Sequence, residues 1–130
     1  MVDGKKIKVL AVDDSNFMLT MIAAYLEGSL FELAATAKNG KEAVEQYKQQ
    51  KPDVVLLDIV MPEETGIDAL EKLLSVDPKA CVVMVSSLGT EQSVLDCLRK
   101  GAKNFLQKPF EQEGLIALLE KVCKEAGLSL

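Results

Sequence analysis

The sequence predicts an α/β protein built on a doubly wound, five-stranded parallel sheet. Short apolar segments alternate five times with segments of helical period along the 130 residues. Such strict alternation is typical of a parallel sheet covered by helices on both faces. Three strand segments are almost wholly apolar, as central strands are, and two carry polar residues, as edge strands do. We therefore expect one domain, spanning residues 1–130, with a substantial core.

Capping and turn residues bound the first two strand–helix units. Ser15 can accept the hydrogen bond that starts a helix, and Gly28 ends it. The second strand alternates with Glu32 and Thr36, which suits a sheet edge. The predicted elements are the strand Ile7–Val12, the helix between Ser15 and Gly28, the strand Phe31–Ala37, and the helix Lys41–Gln50 after an Asn39-Gly40 turn. Helical spacing on the first helix selects Phe17, Met18, Met21, Ile22, Tyr25 and Leu26 as its core face.

The central strand, Val54–Leu57, is apolar throughout and stops near Pro62, which cannot continue a ladder. Asp77-Pro78 likewise ends the third helix, and Gly101 follows the fourth. The remaining predicted elements are a helix from about Ile67 to Ser75, the strand Cys81–Val85, a helix from Thr90 or Glu91 to Lys100, the edge strand Asn104–Gln107 and a helix from about Glu111 to Ala126. Their expected inward residues are Ile67, Leu70, Leu73, Leu74, Val94, Leu95, Leu98, Leu115, Leu119 and Val122.

Composition excludes several functional classes. The chain has 15 basic and 20 acidic residues, a net charge of −5, and no basic cluster, so we expect no direct binding to nucleic acid. No apolar run approaches the roughly 20 residues that cross a bilayer, and no apolar signal precedes the first strand. We therefore expect a cytoplasmic protein without membrane insertion. Cys81, Cys97 and Cys123 share no short spacing and should be reduced core residues.

Polar side chains follow four of the predicted strands. Asp13 and Asp14 follow the first strand, Asp58 the central one, and Ser86 and Lys108 the last two. Ligands of open parallel sheets bind at this carboxyl edge. With no histidine in the chain, chemistry must use carboxylates, hydroxyls, lysine and the backbone. Three close carboxylates demand a cation or a raised pKa, and Mg²⁺ suits carboxylates and phosphate oxygens. Asp58 is the natural nucleophile for an external phosphoryl donor.

Each of these residues alone has an ordinary structural explanation, such as a helix start, a strand end or a surface lysine. Their coincidence resembles the receiver domain of bacterial two-component response regulators, over essentially the whole chain. The final helix ends near the chain terminus without an output domain, which favours the stand-alone chemotaxis (CheY-like) type. The motifs that carry the resemblance are Val12-Asp13-Asp14-Ser15, Leu57-Asp58-Ile59-Val60-Met61-Pro62 with Gly66, Val85-Ser86-Ser87, and Gly101-Ala102, Phe105 and Lys108-Pro109-Phe110.

The resemblance implies a flavodoxin-like (βα)5 fold with strand order 2-1-3-4-5, which agrees with three central apolar strands. It implies that Asp58 accepts phosphate from a sensor histidine kinase. Asp13 and Asp14 would hold Mg²⁺ together with Asp58 and the backbone carbonyl of Val60. In the family the bond between Lys108 and the following proline is usually cis.

The resemblance also implies a switch. Ser86, Ser87 and Lys108 would bind the phosphoryl group, and Ser86 would be drawn toward it. The ring of Phe105 would then move inward and change the face made by the fourth helix, fifth strand and fifth helix, where a downstream protein target binds. A phosphatase is a further possible partner. Such a domain is a signalling switch that catalyses only its own phosphotransfer and dephosphorylation, and is not otherwise an enzyme.

The chain departs from the family at four positions. Phe105 stands where tyrosine is common, so a switch there works by packing. Val60 and Leu88 are apolar where the best-known chemotaxis regulators are polar, and we hypothesise that they slow self-dephosphorylation because neither can orient water. Leu19 stands where arginine is frequent, which affects the details of target binding.

Three alternatives remain open at this point. One is a receiver excised from a larger regulator that has a separate output domain, because the boundary of such a domain would also fall after the last helix. A Mg²⁺-dependent phosphatase with an aspartyl nucleophile would need a second acid two residues beyond Asp58, where Val60 stands. A flavodoxin-like FMN carrier would need phosphate-cradling donors after the first strand, where Asp13 and Asp14 would repel the ligand.

Overall fold

The computed structural model describes residues 6–61, 65–87 and 91–128. Its five strands are β1 (Ile7–Val12), β2 (Phe31–Ala37), β3 (Val54–Asp58), β4 (Val82–Ser86) and β5 (Asn104–Gln107). Its five helices are α1 (Asn16–Leu26), α2 (Gly40–Gln50), α3 (Gly66–Val76), α4 (Glu91–Lys100) and α5 (Gln112–Glu125). Pro62, near which the central strand was expected to stop, and the residues Leu88 and Thr90 lie outside the described residues.

The five strands form one parallel sheet in the order β2-β1-β3-β4-β5, which confirms the predicted fold class and strand order. β3 and β4 are buried along their whole length, and β1 almost so, whereas β2 and β5 are partly exposed. The apolar strands thus occupy the centre of the sheet because helices cover both of their faces.

Two hydrophobic cores lie on opposite faces of the sheet because successive side chains of a strand point in opposite directions. Leu57 faces the core formed with α2, α3 and α4. Its neighbour Leu56 faces the core formed with α1 and α5. The three cysteines are free and buried, as predicted.

Local signals explain how closely the element boundaries match the prediction. The side chain of Ser15 accepts a hydrogen bond from the Met18 amide at 3.2 Å and caps α1 as expected. Thr65 caps α3 in the same way through the Asp68 amide, so that helix begins one residue earlier than predicted, at Gly66.

Two predicted core residues are instead exposed. Phe17 is 77% exposed and Leu95 is 47% exposed. A residue advances about 100° around a helix, so Phe17 lies about 200° from Leu19, which α1 buries with Ile22 and Leu26. The predicted apolar stripe of α1 was therefore wrong at its first position, and that of α4 was wrong at Leu95. The other inward residues are buried or pack partly buried against the two cores.

None of the helices in the described part of the chain is long and apolar enough to cross a membrane.

Candidate functional site

The predicted site residues converge at the carboxyl edge of the sheet. Asp13 follows β1, Asp58 ends β3, Ser86 ends β4 and Lys108 follows β5. Parallel pairing carries these strand ends to one edge, with Asp58 opposite Val85 in the register of β3 and β4. Asp13, Asp58 and Ser86 are 3%, 6% and 3% exposed, and they are the buried polar residues of the described chain.

Three carboxylates and one ammonium group meet in this pocket. Asp13, Asp14 and Asp58 each present a carboxylate oxygen within 4.8 Å of the other two. The Nζ atom of Lys108 lies 2.9 Å from Oδ2 of Asp13 and 3.3 Å from Oδ2 of Asp58. Asp14 is exposed, unlike the other two. The pocket is therefore acidic, with its charges only partly balanced by one lysine.

Backbone amides hold the two buried carboxylates in place. The amide of Ser15 donates to Oδ1 of Asp13 at 2.9 Å, and the amide of Val60 donates to Oδ1 of Asp58 at 3.2 Å. Each carboxylate thus uses one oxygen for the backbone and the other for Lys108. These short-range contacts orient the acids before any ligand binds.

Gly66 belongs to the motif around Asp58, and its positioning role is visible only in the structure. Its amide donates to the carbonyl of Ile59 at 2.6 Å. A Cβ atom at this position would overlap the carbonyl oxygen of Asp58 and approach the Ile59 Cα to 2.6 Å. Only glycine lets the start of α3 pack this closely against the end of β3. The position of Gly66 directly after Thr65, which caps α3, is the local signal that could have identified it.

The loop that carries Lys108 is tied to the neighbouring strand. The amide of Lys108 donates to the carbonyl of Ser86 at 2.6 Å. The Lys108–Pro109 peptide bond is cis, as the family resemblance predicted. These contacts place the lysine side chain over the ends of β1 and β3.

The electrostatics of the pocket follow from burial and charge. Burial raises the pKa of Asp58, and the nearby charge of Asp13 raises it further, against the opposing effects of Lys108 and the Val60 amide. Burial alone would lower the pKa of Lys108, but its hydrogen bond to Asp13 and the charges of both acids raise it overall. Lys108 is therefore a cation at neutral pH. A further cation beside Asp58 would stabilise the charged form of its carboxylate.

The donor set fits a hard divalent cation. Three carboxylates, with no histidine in the chain, offer the oxygen ligands that Mg²⁺ prefers over imidazole or thiolate sites. Among the residues that the structure describes, these three acids lie close enough to one another to share one ion. The acidic cluster can thus bind a metal. That the Val60 carbonyl is a metal ligand stays a prediction, since the observed hydrogen bond between Val60 and Asp58 is made by the Val60 amide.

The remaining predicted residues lie around the pocket. Ser87 is exposed just beyond the end of β4, and Phe105 is 41% exposed on β5. Val60 is 63% exposed beside Asp58, whereas its proposed apolar partner Leu88 lies outside the described residues. Leu19 is buried in the core between the sheet, α1 and α5.

Comparisons with known proteins identify relatives of this chain. The family profile described as "Response regulator receiver domain" matches residues 9–120. The chemotaxis protein CheY of Listeria monocytogenes is 47% identical over 118 residues, which cover 91% of this chain and 99% of that protein. The chemotaxis protein CheY of Thermotoga maritima is 42% identical, with 90% and 98% covered.

A solved structure shares the fold as well as the sequence. The CheX–CheY–BeF3–Mg²⁺ complex from Borrelia burgdorferi matches with a TM-score of 0.85 and 39% identity, covering 91% of this chain and 90% of that chain. The family profile, the curated relatives and the solved structure thus agree on the family to which the chain belongs. The chain belongs to the response regulator receiver domain family and is homologous to the chemotaxis protein CheY.

Proposed function

We propose that this protein is a phosphorylation-activated response regulator of a two-component phosphorelay, in chemotaxis, and that Asp58 is its phosphoacceptor. The observation that carries the proposal is the pocket itself. The Asp58 carboxylate lies at the end of the central strand, with two further acids within 4.8 Å and the Lys108 ammonium at 3.3 Å. Relatives of nearly the same length that bear the name chemotaxis protein CheY support the proposed role in chemotaxis.

The phosphotransfer step needs only groups that the pocket and the donor supply. A carboxylate oxygen of Asp58 attacks the phosphorus of a phosphohistidine on a sensor histidine kinase. An O–P bond forms as the N–P bond breaks, and the imidazole nitrogen keeps the electron pair of the broken bond. Lys108 then pairs with a phosphoryl oxygen as a point charge, and Ser86 and Ser87 at the end of β4 provide further donors.

Asp13, Asp14 and Asp58 would hold the Mg²⁺ ion, with the backbone carbonyl of Val60 as a further ligand. When bound, Mg²⁺ supplies charge neutralisation for the phosphoryl oxygens. The Lys108 ammonium, which pairs with Asp13 and Asp58, already performs part of this task for the acids. The Borrelia burgdorferi CheY complex with Mg²⁺ supports this choice of metal.

Phosphorylation of Asp58 would change the conformation of the face formed by α4, β5 and α5. In the proposed switch Ser86 moves toward the phosphoryl group, and the ring of Phe105 moves inward behind it. Phe105 and Leu95 are exposed apolar side chains on β5 and α4, and they support this face as the site where a downstream protein target binds. A phosphatase that acts on Asp58 is a further proposed partner, and the proposed location is the cytoplasm.

The test is mass spectrometry of the protein after incubation with acetyl phosphate and Mg²⁺. We expect one added phosphoryl group on the wild type and none on Asp58→Ala. The matched control is Asp68→Ala, which removes an exposed carboxylate from the first turn of α3 and should leave phosphorylation intact. Chelating the metal should abolish the modification.

A wild type that stays unmodified with Mg²⁺, and also with a histidine kinase preparation, would contradict the proposal. Phosphorylation that persists in Asp58→Ala would move the acceptor elsewhere. We also propose that residues 1–130 form one receiver domain.

A further inference from the structure

A groove runs between α2 and α3, away from both the acidic pocket and the α4–β5–α5 face. Two adjoining cavities of about 410 and 480 Å³ form it, and both are bounded by Val76. We call this the α2–α3 groove. Its lining consists of Lys41, Val44, Glu45, Tyr47, Lys48, Lys51, Pro52, Lys72, Ser75, Val76 and Asp77.

The floor of the groove is apolar. Val76 at the end of α3 is 39% exposed, and Val44 of α2 is partly buried beside it. The hydroxyl of Tyr47 donates to Oδ2 of Asp77 at 2.8 Å, so its polar end is satisfied within the groove. An occupant can therefore cover apolar surface here without stripping water from an unpaired polar group.

The rim of the groove is basic although the whole chain carries a net charge of −5. Lys41, Lys48 and Lys51 are exposed, and none of the three makes an ion pair with any residue that the structure describes. The lining also holds Lys72 and two acids, Glu45 and Asp77. Its four lysines exceed its two acids, so the field at the groove is positive, which favours an acidic occupant.

We propose that the α2–α3 groove docks an acidic, amphipathic helix of a partner protein. Lys41 and Lys48 lie seven residues apart on α2, a separation of about 10 Å along the helix axis. A helix laid along α2 would meet them with carboxylates one heptad apart. Its apolar side chains, at helical spacing between those carboxylates, would cover Val44 and Val76.

The charge pattern argues against two other occupants. A second copy docked face to face would place the same lysines of both copies against each other, at a cost in repulsion. Nucleic acid would satisfy the lysines but would leave the apolar floor uncovered, and the overall charge of the chain opposes it. An acidic, amphipathic helix would pair with the lysines of the rim and would also cover the apolar floor.

The position of the groove makes this inference independent of the proposed phosphorylation. Pro52 and Asp77 precede β3 and β4, so this half of the groove lies at the amino edge of the sheet. The acidic pocket lies at the carboxyl edge. A partner docked in the groove would leave Asp58 and the exposed Phe105 accessible, which is what a scaffold that concentrates the regulator requires.

The probe is a synthetic peptide of about 15 residues, long enough for four helical turns, with leucines on one face and glutamates a heptad apart on its flanks. Binding is followed by calorimetry and by backbone amide shifts of the ¹⁵N-labelled protein. We expect saturable binding with shifts confined to α2 and α3. The double variant Lys41→Glu/Lys48→Glu should weaken binding by about tenfold or more, and Val76→Ser should weaken it without changing the charge.

The matched control is Lys121→Glu/Lys124→Glu on α5, which changes the net charge equally and should leave binding unchanged. Asp58→Ala should also bind normally, which separates a failure here from a failure of the phosphoacceptor assignment. Shifts centred on Leu95 and Phe105, or equal binding of a peptide with its leucines replaced by serine, would overturn the proposal. So would an absence of saturable binding, or equal binding of an oligonucleotide of the same charge.

Discussion

Asp58 and Asp77 are two carboxylates that each accept a hydrogen bond from a side chain of another segment, yet folding shifts their pKa values in opposite directions. Asp58 is buried, and burial together with Asp13 raises its pKa. Asp77 is partly exposed, and the hydroxyl of Tyr47 holds its pKa below the usual range. Folding therefore works against the charged form of Asp58 and favours the charged form of Asp77.

The difference shows where stability has been given up for chemistry. At Asp77 one acid meets one hydroxyl, and the bond joins α2 to the end of α3. At the pocket the two buried acids Asp13 and Asp58 share the ammonium of Lys108, and the exposed Asp14 lies within 4.8 Å of both. A surplus of buried negative charge is costly, but it creates the demand for a cation that phosphoryl chemistry uses. Four changes test this contrast, from the largest expected effect to the smallest.

Lys108→Met should destabilise the metal-free protein by about 2–3 kcal/mol, because Asp13 and Asp58 would stay buried without their cation. Urea unfolding measures the change, and added Mg²⁺ should restore part of it. Lys79→Met, beside Asp77 at the surface, is the control and should alter the free energy of unfolding by less than about 0.5 kcal/mol. Equal losses in the two variants would mean that the pocket is not electrostatically special.

Val60→Asn combined with Leu88→Glu should speed the loss of phosphate from Asp58. Both residues are apolar, Val60 is exposed beside the pocket, and polar replacements can orient the attacking water. We expect roughly a tenfold faster decay, equivalent to about 1.4 kcal/mol in the barrier, measured by mass spectrometry over time after removal of the donor. An unchanged or slower decay would refute the role given to the apolar pair.

Asp58→Asn should stabilise the metal-free protein by about 1 kcal/mol, because it removes one negative charge while its amide oxygen can still accept the Val60 amide. A rise in the urea midpoint is the expected result. Asp53→Asn serves as the control, since Asp53 accepts the Lys8 amide at 2.9 Å outside the pocket and its loss should give no gain. A fall in the midpoint of Asp58→Asn would contradict the conclusion that the buried negative charge of the pocket lowers the stability of the metal-free protein.

Tyr47→Phe should lower the urea midpoint slightly at pH 7, because Asp77 loses its hydroxyl donor. The lowered pKa of Asp77 means that this stabilisation is fully present above its unfolded pKa, about 3.9, and is lost as the pH falls through the folded value. The difference between wild type and variant should therefore shrink below pH 4. A difference that stays constant on acidification would show that the Tyr47 hydroxyl does not act through the charge of Asp77.

Much of the fold could be predicted because its signals are local. Ser15 caps α1 through an amide three residues away, and the central strand is apolar at every position that both cores cover. The pocket residues could be predicted as well, because parallel strands end at one edge and Asp13, Asp58, Ser86 and Lys108 each follow a strand. Hydrophobic spacing failed at Phe17 and Leu95, since both helices carry more apolar residues than the stripe that meets the sheet can bury.

Sequence alone determined the alternation of strands and helices and the types of residue at the carboxyl edge of the sheet, because both depend on short-range pattern and chain direction. The tertiary structure decided which oxygen of each acid meets Lys108 and which meets a backbone amide. It also decided that Gly66 must lack a side chain, since the Asp58 carbonyl occupies the space where its Cβ would lie. The surplus of negative charge in the pocket and the close approach at Gly66 both depend on distances between segments that are remote in sequence. Only the folded chain sets those distances.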